Sequence, residues 1–341
     1  MMINITFVFG TRPEFIKLAK VIEKLKNNRK FSITIIFSGQ QEDLLKAFED
    51  SKLDNINLKI KRFNNIETFI SNFLVAFDML LKKKKVDYLF VQGDTSTVYA
   101  TSLYGFLNKI PIIHLEAGLR TNDIRKPFPE EFYRQNVSKI ASIHLAQTYS
   151  GKRNLIKEGI KSNKIFVVGN PGIDYLLDCS TSKISKKLVH KNNILITMHR
   201  REAIDGSLLK FINNLKVFLK THPEYTVNWP VHTNPHILKQ IKESFKSKLN
   251  KKLKINFLNP LNYFKFNKYL SEAEYLITDS GGVQEEGAYL GKKLLIARDV
   301  TEREDIIRLK LGMLIKADGS KLFDRIKYYK KNCIQLKNTN I

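Results

Sequence analysis

Cys179 and Cys333 are the only cysteines among the 341 residues. They lie far apart and in no metal-ligand spacing, which excludes a disulfide framework and favours a cytoplasmic setting. No apolar run approaches the roughly 20 residues that span a bilayer, so no membrane insertion is expected. The start, Met1-Met2-Ile3-Asn4-Ile5, has neither the basic region nor the cleavage site of a signal peptide and reads as a first buried strand. Zinc spacing, a Gly-x-Ser-x-Gly elbow, a Walker loop and a dinucleotide fingerprint are all missing. Acidic residues are outnumbered, 33 against 58 basic ones, for a formal net charge of +25. Such an excess suits a polyanion. No basic–aromatic module accompanies it, and lysine is spread beside abundant Asn and Ile, so no nucleic-acid partner is expected. The one dense run, Lys82 to Lys85, closes a helical pattern, where cations suit the helix dipole.

What is present is a globular composition, 43% apolar and 27% charged, in a chain long enough for two domains. Short β-branched runs alternate with segments of helical period, which predicts an α/β fold with parallel sheets. Strands are predicted at Ile3–Phe9, Ser32–Phe37, Tyr88–Val91, Ile110–His114, Ile143–Ala146 and Ile165–Val168. Helices are predicted between them, as at Phe15–Lys26 and Ile66–Lys82. The pattern restarts with strands at Ile194–Met198, Tyr225–Trp229, Lys254–Leu258, Tyr275–Thr278 and Lys293–Ala297. The break falls at Gly169-Asn170-Pro171-Gly172, a turn-rich quartet. This gives domains 1–169 and 170–341, each Rossmann-like. Ligands of such sheets bind beyond the carboxyl ends of the strands, so a cleft between two facing domains is the expected site.

The strand ends carry the chemistry. The first leads into Gly10-Thr11-Arg12-Pro13-Glu14, where a tight turn, a proline at the first helical position and free amides suit phosphate, with Arg12 and Lys17 adding charge. A capped turn with two solvated cations fits the same residues. Asp94, in Gly93-Asp94-Thr95-Ser96-Thr97, is either a helix N-cap or an acid/base group. Glu116 follows an apolar run, where a carboxylate is costly to desolvate unless used or paired. Glu130 and Glu131 follow Pro127-Phe128-Pro129 at a helix start, which the dipole alone could explain. In the second half, Met198-His199-Arg200-Arg201-Glu202 and Pro230-Val231-His232 each follow a strand. Ser280-Gly281-Gly282 opens a helix as a diphosphate cradle, and Glu286 one turn on suits a ribose.

Together these blocks resemble the non-hydrolysing UDP-N-acetylglucosamine 2-epimerases. The matching stretches are GTRPE-x-IK, GDTSTV, HLEAGLRT, PFPEE, HRRE, PVHTNP, TDSGGVQEE and TER, in order from Gly10 to Arg303. The resemblance implies a GT-B architecture, usually a homodimer, and C2 epimerisation of UDP-N-acetylglucosamine without a cofactor. UDP is eliminated to give 2-acetamidoglucal and then added back, serving surface polysaccharide synthesis. By position it implies that Asp94, Glu116 and Glu130 are acid/base carboxylates and His199 the catalytic histidine. It makes Arg12, Lys17, Arg120, Arg200, His232, Phe266, Ser280, Gly281, Gly282 and Glu286 the UDP-sugar contacts, with Phe266 by the uracil.

The pattern is not kept everywhere. Gly39-Gln40-Gln41-Glu42-Asp43 stands where bacterial members commonly read GQHRE. The resemblance implies a second, activating UDP-N-acetylglucosamine there, near Gln40 and Asp43, so weakened activation or a changed substrate is expected. Met198, Trp229 and Pro171-Gly172 also depart from it, the last predicting a stiffer hinge. No counterpart of the family's closing NP-aromatic-GDG stretch and final helix follows Lys321. Two other readings share the motifs: a 2-epimerase of a modified UDP-acetamido sugar, and a catalytically inactive UDP-sugar sensor.

Overall fold

The computed structural model describes residues 2–40, 56–58, 60, 65–179, 189–198, 206–231, 235–246, 250 and 252–332. The chain forms two compact units, Met1–Tyr175 and Leu176–Ile341, the division falling within a helix that starts at Pro171.

The first unit holds seven strands: β1 (Ile3–Phe9), β2 (Phe31–Phe37), β3 (Ile56–Asn57), β4 (Tyr88–Gln92), β5 (Ile112–Ala117), β6 (Ile143–Ala146) and β7 (Ile165–Val167). They lie in the order β3-β2-β1-β4-β5-β6-β7, and every neighbouring pair is parallel. The described helices are α1 (Arg12–Lys26), α2 (Ile66–Leu81), α3 (Ser96–Leu107), α4 (Glu130–Ile140), α5 (Tyr149–Lys157) and α6 (Pro171–Cys179), the last running across the division. β1 shows why near-continuous apolar runs form these strands: both of its faces are covered. Phe7 and Phe9 pack with Phe15, Leu18 and Ile22 of α1, while Val8 packs on the other side with Phe73 and Phe77 of α2. The Phe7 ring also stacks on Phe90 of β4 at 4.5 Å. The order of the strands reverses between β1 and β4, so the carboxyl ends of those two strands and of β5 mark the switch point where ligands of such sheets bind.

The second unit holds β8 (His190–Thr197), β9 (Thr226–Pro230), β10 (Ile255–Leu258), β11 (Ala273–Thr278), β12 (Lys293–Ile296) and β13 (Gly312–Leu314). Their order is β10-β9-β8-β11-β12-β13, again all parallel, with the reversal between β8 and β11. Its helices are α7 (Ser207–Thr221), α8 (Pro235–Ser244), α9 (Tyr263–Glu272), α10 (Gly281–Tyr289), α11 (Glu304–Arg308) and α12 (Leu322–Lys331). Buried Lys292 donates to the carbonyls of Ser271 (2.5 Å) and Ala273 (2.8 Å), pinning the end of α9 beside β12. No helix among the described residues is long and apolar enough to cross a membrane.

The eleven predicted strands are all present, with ends shifted by a few residues, and β3 and β13 are added. One shift bears on chemistry. β5 continues past His114 to Ala117, so Glu116 lies within the strand and not beyond it. The quartet at 169–172 starts a helix, in which the Asn170 side chain accepts the amide of Gly172 at 2.8 Å.

Candidate active site

The β1–α1 turn is tightly built. A side chain at Gly10 would run into the hydroxyls of Ser38 and Thr97, which bond each other at 2.8 Å. Thr11 caps α1, and Glu14 reaches back to the amides of Gly10 (2.9 Å) and Thr11 (2.6 Å). The amides of Gly10 and Thr11, just before the helix, are therefore held by the chain's own carboxyl group. What the turn still presents is the half-buried Arg12 at the first helical position. Lys17 lies one turn further on and places its ammonium on Glu116.

At the end of β4, Thr95 and not Asp94 caps α3, its hydroxyl accepting the amide of Val98 at 3.3 Å. Asp94 instead accepts from Arg134 of α4 at 2.6 Å. Arg134 is 2% exposed, and its Nε bonds Glu131 at 2.9 Å. Glu131, wholly buried, also takes the amides of Thr121 (3.1 Å) and Asn122 (3.3 Å). It is thus the hub of the loop before α4, a larger part than the dipole partner its position suggested. Glu130 opens α4 beside it and is half-buried.

β5 brings in the third carboxylate by an irregularity. Its register against β6 shifts between Leu115 and Ala117, and Glu116 takes φ +69°. A left-handed residue other than glycine costs roughly 1–2 kcal/mol and aims its side chain off the regular pleat. Here it carries a 5%-exposed carboxylate to the ammonium of Lys17 and the amide of Gln92. The pairing meets the desolvation cost that the sequence foretold. Two residues earlier, His114 Nε2 lies 2.8 Å from the carbonyl of Gly93. A carbonyl can only accept, so Nε2 carries the hydrogen. Burial pushes this imidazole down to about 4, which keeps it neutral at pH 7.

Arg120, expected at the substrate, is turned inward. It is 2% exposed and forks onto Glu158 at 2.6 and 2.8 Å, bonding also Ser138 and the carbonyl of Leu119. With four of five donors satisfied inside the first unit, it braces the segment after β5. Gln40 accepts from the amide and hydroxyl of Thr97, at 3.3 and 2.7 Å, and so joins the exit of β2 to the start of α3.

In the second unit the end of β11 leads through Asp279 and Ser280 into α10. Gly281 lies against the guanidinium of Arg303, where any side chain would collide, and Arg303 is fixed by Glu285 at 2.9 Å and by Glu302. Among the described residues, nothing outside the helix's own backbone lies within 4 Å of where a Gly282 side chain would stand, so the opening of the helix is clear. Glu286, one turn inside, accepts from the Tyr263 hydroxyl at 2.7 Å. Phe266 is half-buried one turn along α9. His199, Arg200, His232 and Asp43 lie outside the described residues.

Sequence reasoning passed over Arg134, Tyr263 and the cross-loop part of Glu14. Only Glu14 carried a local signal, the Thr-x-x-Glu capping box at Thr11–Glu14.

Two parallel α/β sheets, one with buried carboxylates at its switch point and one with a glycine-opened helix at its own, define an enzyme of the GT-B type that handles nucleotide sugars. More narrowly, the chain belongs to the UDP-N-acetylglucosamine 2-epimerase family, isomerases whose model matches residues 23–340. It is 36% identical to a UDP-N-acetylglucosamine 2-epimerase of Salmonella borreze, over 92% of this chain and 86% of that one. The UDP-GlcNAc 2-epimerase of Neisseria meningitidis bound to UDP-GlcNAc superposes with a TM-score of 0.88 at 30% identity, covering 98% of this chain and 95% of that one. The Methanocaldococcus jannaschii enzyme in complex with UDP-GlcNAc and UDP gives 0.86 at 30% identity, covering 99% and 94%.

Proposed function

We propose that the chain interconverts UDP-N-acetylglucosamine and UDP-N-acetylmannosamine by anti-elimination and re-addition of UDP, in the cytoplasm, for surface polysaccharide synthesis. A base takes the C2 proton as the C1–oxygen bond breaks, leaving 2-acetamidoglucal and UDP. Protonation of C2 on the opposite face, with the diphosphate oxygen returning to C1, gives the epimer. The observation that carries this reading is Glu116, a buried carboxylate that a strand irregularity holds against Lys17. A weakly acidic C2 proton needs such fixed carboxylates on both ring faces, and Asp94 and Glu130 supply the others. The first unit provides the acid/base groups. The second provides the diphosphate and ribose contacts at Ser280, Gly281, Gly282 and Glu286, where helix amides meet charge as it develops. His199 is assigned the part of catalytic histidine on the family resemblance alone. Two relatives solved with UDP-GlcNAc support this choice of sugar.

Incubation with UDP-N-acetylglucosamine in deuterated water tests the scheme. Deuterium at C2 and a UDP-linked manno product are expected. Release of free sugar, or exchange only with a modified UDP-acetamido sugar, overturns it. A Gly282→Ala variant is expected to keep its melting temperature and to bind UDP about tenfold more weakly, because its methyl enters the clear opening of α10. Calorimetric titration with UDP checks this.

We also propose a homodimer formed through α2 and α3. Val75 and Met79, one turn apart on α2, are 61% and 71% exposed, and Phe106 and Leu107 at the end of α3 are 57% and 66% exposed. The two helices pack together through Phe77 and Tyr104, whose rings lie 5.0 Å apart, and exposed apolar side chains on both support this choice of interface. Sedimentation of a Val75→Lys, Met79→Lys variant is expected to show a monomer, and an unchanged dimer removes this face as the interface.

A further inference from the structure

The proposed chemistry engages Asp94, Glu116 and Glu130 and leaves out a fourth carboxyl group at the same switch point. Glu14 is 2% exposed. As the third residue of α1 after a threonine cap it completes a capping box, and for that one oxygen suffices. Its Oε2 does this work, receiving the amides of Gly10 and Thr11 and the Thr11 hydroxyl at 2.9, 2.6 and 2.7 Å. Its Oε1 reaches elsewhere, to the hydroxyl of Thr95 at 2.7 Å, 81 residues along the chain. Thr95 caps α3 and directly follows Asp94, while Gly10 and Thr11 directly precede Arg12. One carboxyl group therefore spans the reversal of strand order between β1 and β4.

We propose that Glu14 is a positioning residue for the epimerisation, locking the turn that carries Asp94 to the turn that carries Arg12 through Thr95, with its own proton setting the direction of the Thr95 hydroxyl. The inference rests on Asp94 acting in the reaction. Oε2 faces three donors, so the hydrogen of the neutral acid belongs on Oε1. When Glu14 is ionised, the Thr95 hydroxyl donates to Oε1. When it is neutral, Oε1 donates to Thr95, whose oxygen also accepts from Val98, and the threonine hydrogen turns away. The tie holds in both states with opposite polarity.

Burial raises this carboxyl from 4.5 to about 7, against four hydrogen bonds that lower it, so the reversal falls in the neutral range. The charged groups on the surrounding elements are Arg12 and Lys17 of α1, Glu116 of β5, Asp94 beside Thr95 and Arg134 of α4. Lys17 is engaged by Glu116, and Arg134 by Asp94 and Glu131. A raised folded-state value means that the stabilisation from neutral Glu14 is full below about 4.5 and is lost as pH rises through about 7.

The full chain, labelled with carboxyl-¹³C glutamate, tests the tie. One resonance is expected to titrate near pH 7, to vanish in Glu14→Gln, and to move upward in Thr95→Val, which removes a donor. In turnover, Glu14→Gln keeps both contacts with a fixed polarity, so its kcat is expected to lose an inflection near pH 7. Thr95→Val is expected to lower kcat roughly 10- to 100-fold at unchanged KM, with Thr95→Ser restoring it. A Glu14 that titrates near 4.5, or a Thr95→Val enzyme with wild-type kcat, overturns the proposal. Absence of C2 exchange in the wild-type protein overturns the functional reading instead, and the carboxyl titration then decides the tie alone.

Discussion

Glu116→Gln is expected to lower C2 proton exchange by about 10²–10⁴-fold, the usual yield of a positioned acid or base, while UDP affinity changes little. The substitution keeps the size and planarity of the side chain. It removes the negative charge that faces Lys17 and leaves that 7%-exposed ammonium beside a neutral amide. The glutamine also meets Gln92, whose side-chain amide now donates to the carboxylate. The proposed UDP contacts at Gly281, Gly282 and Glu286 belong to the second unit, so UDP binding should survive. Exchange is read by the C2 proton signal in deuterated water and affinity by titration with UDP. Exchange at the wild-type rate removes Glu116 from the reaction. Loss of UDP binding in parallel makes its part structural.

The second large effect is on stability. Arg134→Met is expected to cost about 3–5 kcal/mol, the range for breaking a buried ion pair from one side. Arg134 serves two carboxylates at once, bonding Asp94 at 2.6 Å and Glu131 at 2.9 Å. Methionine fills much of the volume but leaves wholly buried Glu131 with amide and glutamine donors and no positive charge. At roughly 2–4 °C per kcal/mol for a unit of this size, the melting temperature should fall by roughly 6–20 °C. Arg134→Lys restores the charge but not the fork, so it should recover only part of the loss. Calorimetry of the three proteins checks the order, and a methionine variant as stable as the wild type refutes the account.

The sequence was most legible where the physics is local. Runs such as Ile3–Phe9 and Ile143–Ala146 reach their predicted ends because a parallel strand covered on both faces is mostly apolar along its length. β3 and β13 were not predicted: two or three residues carry no period, and neither lies in a β-branched run such as the one that marked β7. The site was legible in its residue types and not in its pairings. Lys17 and Glu116 are 99 residues apart, and Arg120 and Glu158 are 38 apart. Nothing local says that Arg120 will fork inward or that Lys17 will meet a carboxylate before a phosphate. Thr95 took the cap from Asp94 because a threonine hydroxyl at the last extended residue reaches Val98, which freed Asp94 for Arg134. Glu14 was half legible: its box could be read, but its second oxygen could not.

The irregularity at Glu116 makes the number of residues in β5 as consequential as their identity. Side chains along a strand alternate between two sides, and one extra residue is what lets Leu115 and Ala117 both stay paired with β6 while Glu116 is turned out of that alternation. Point substitutions at 116 change a functional group. Loss of the one residue between 115 and 117 would restore the even pleat against β6 and take the turned-out carboxylate away with it. A one-residue insertion here, which surface loops commonly absorb, should therefore abolish activity even though Glu116 itself is retained.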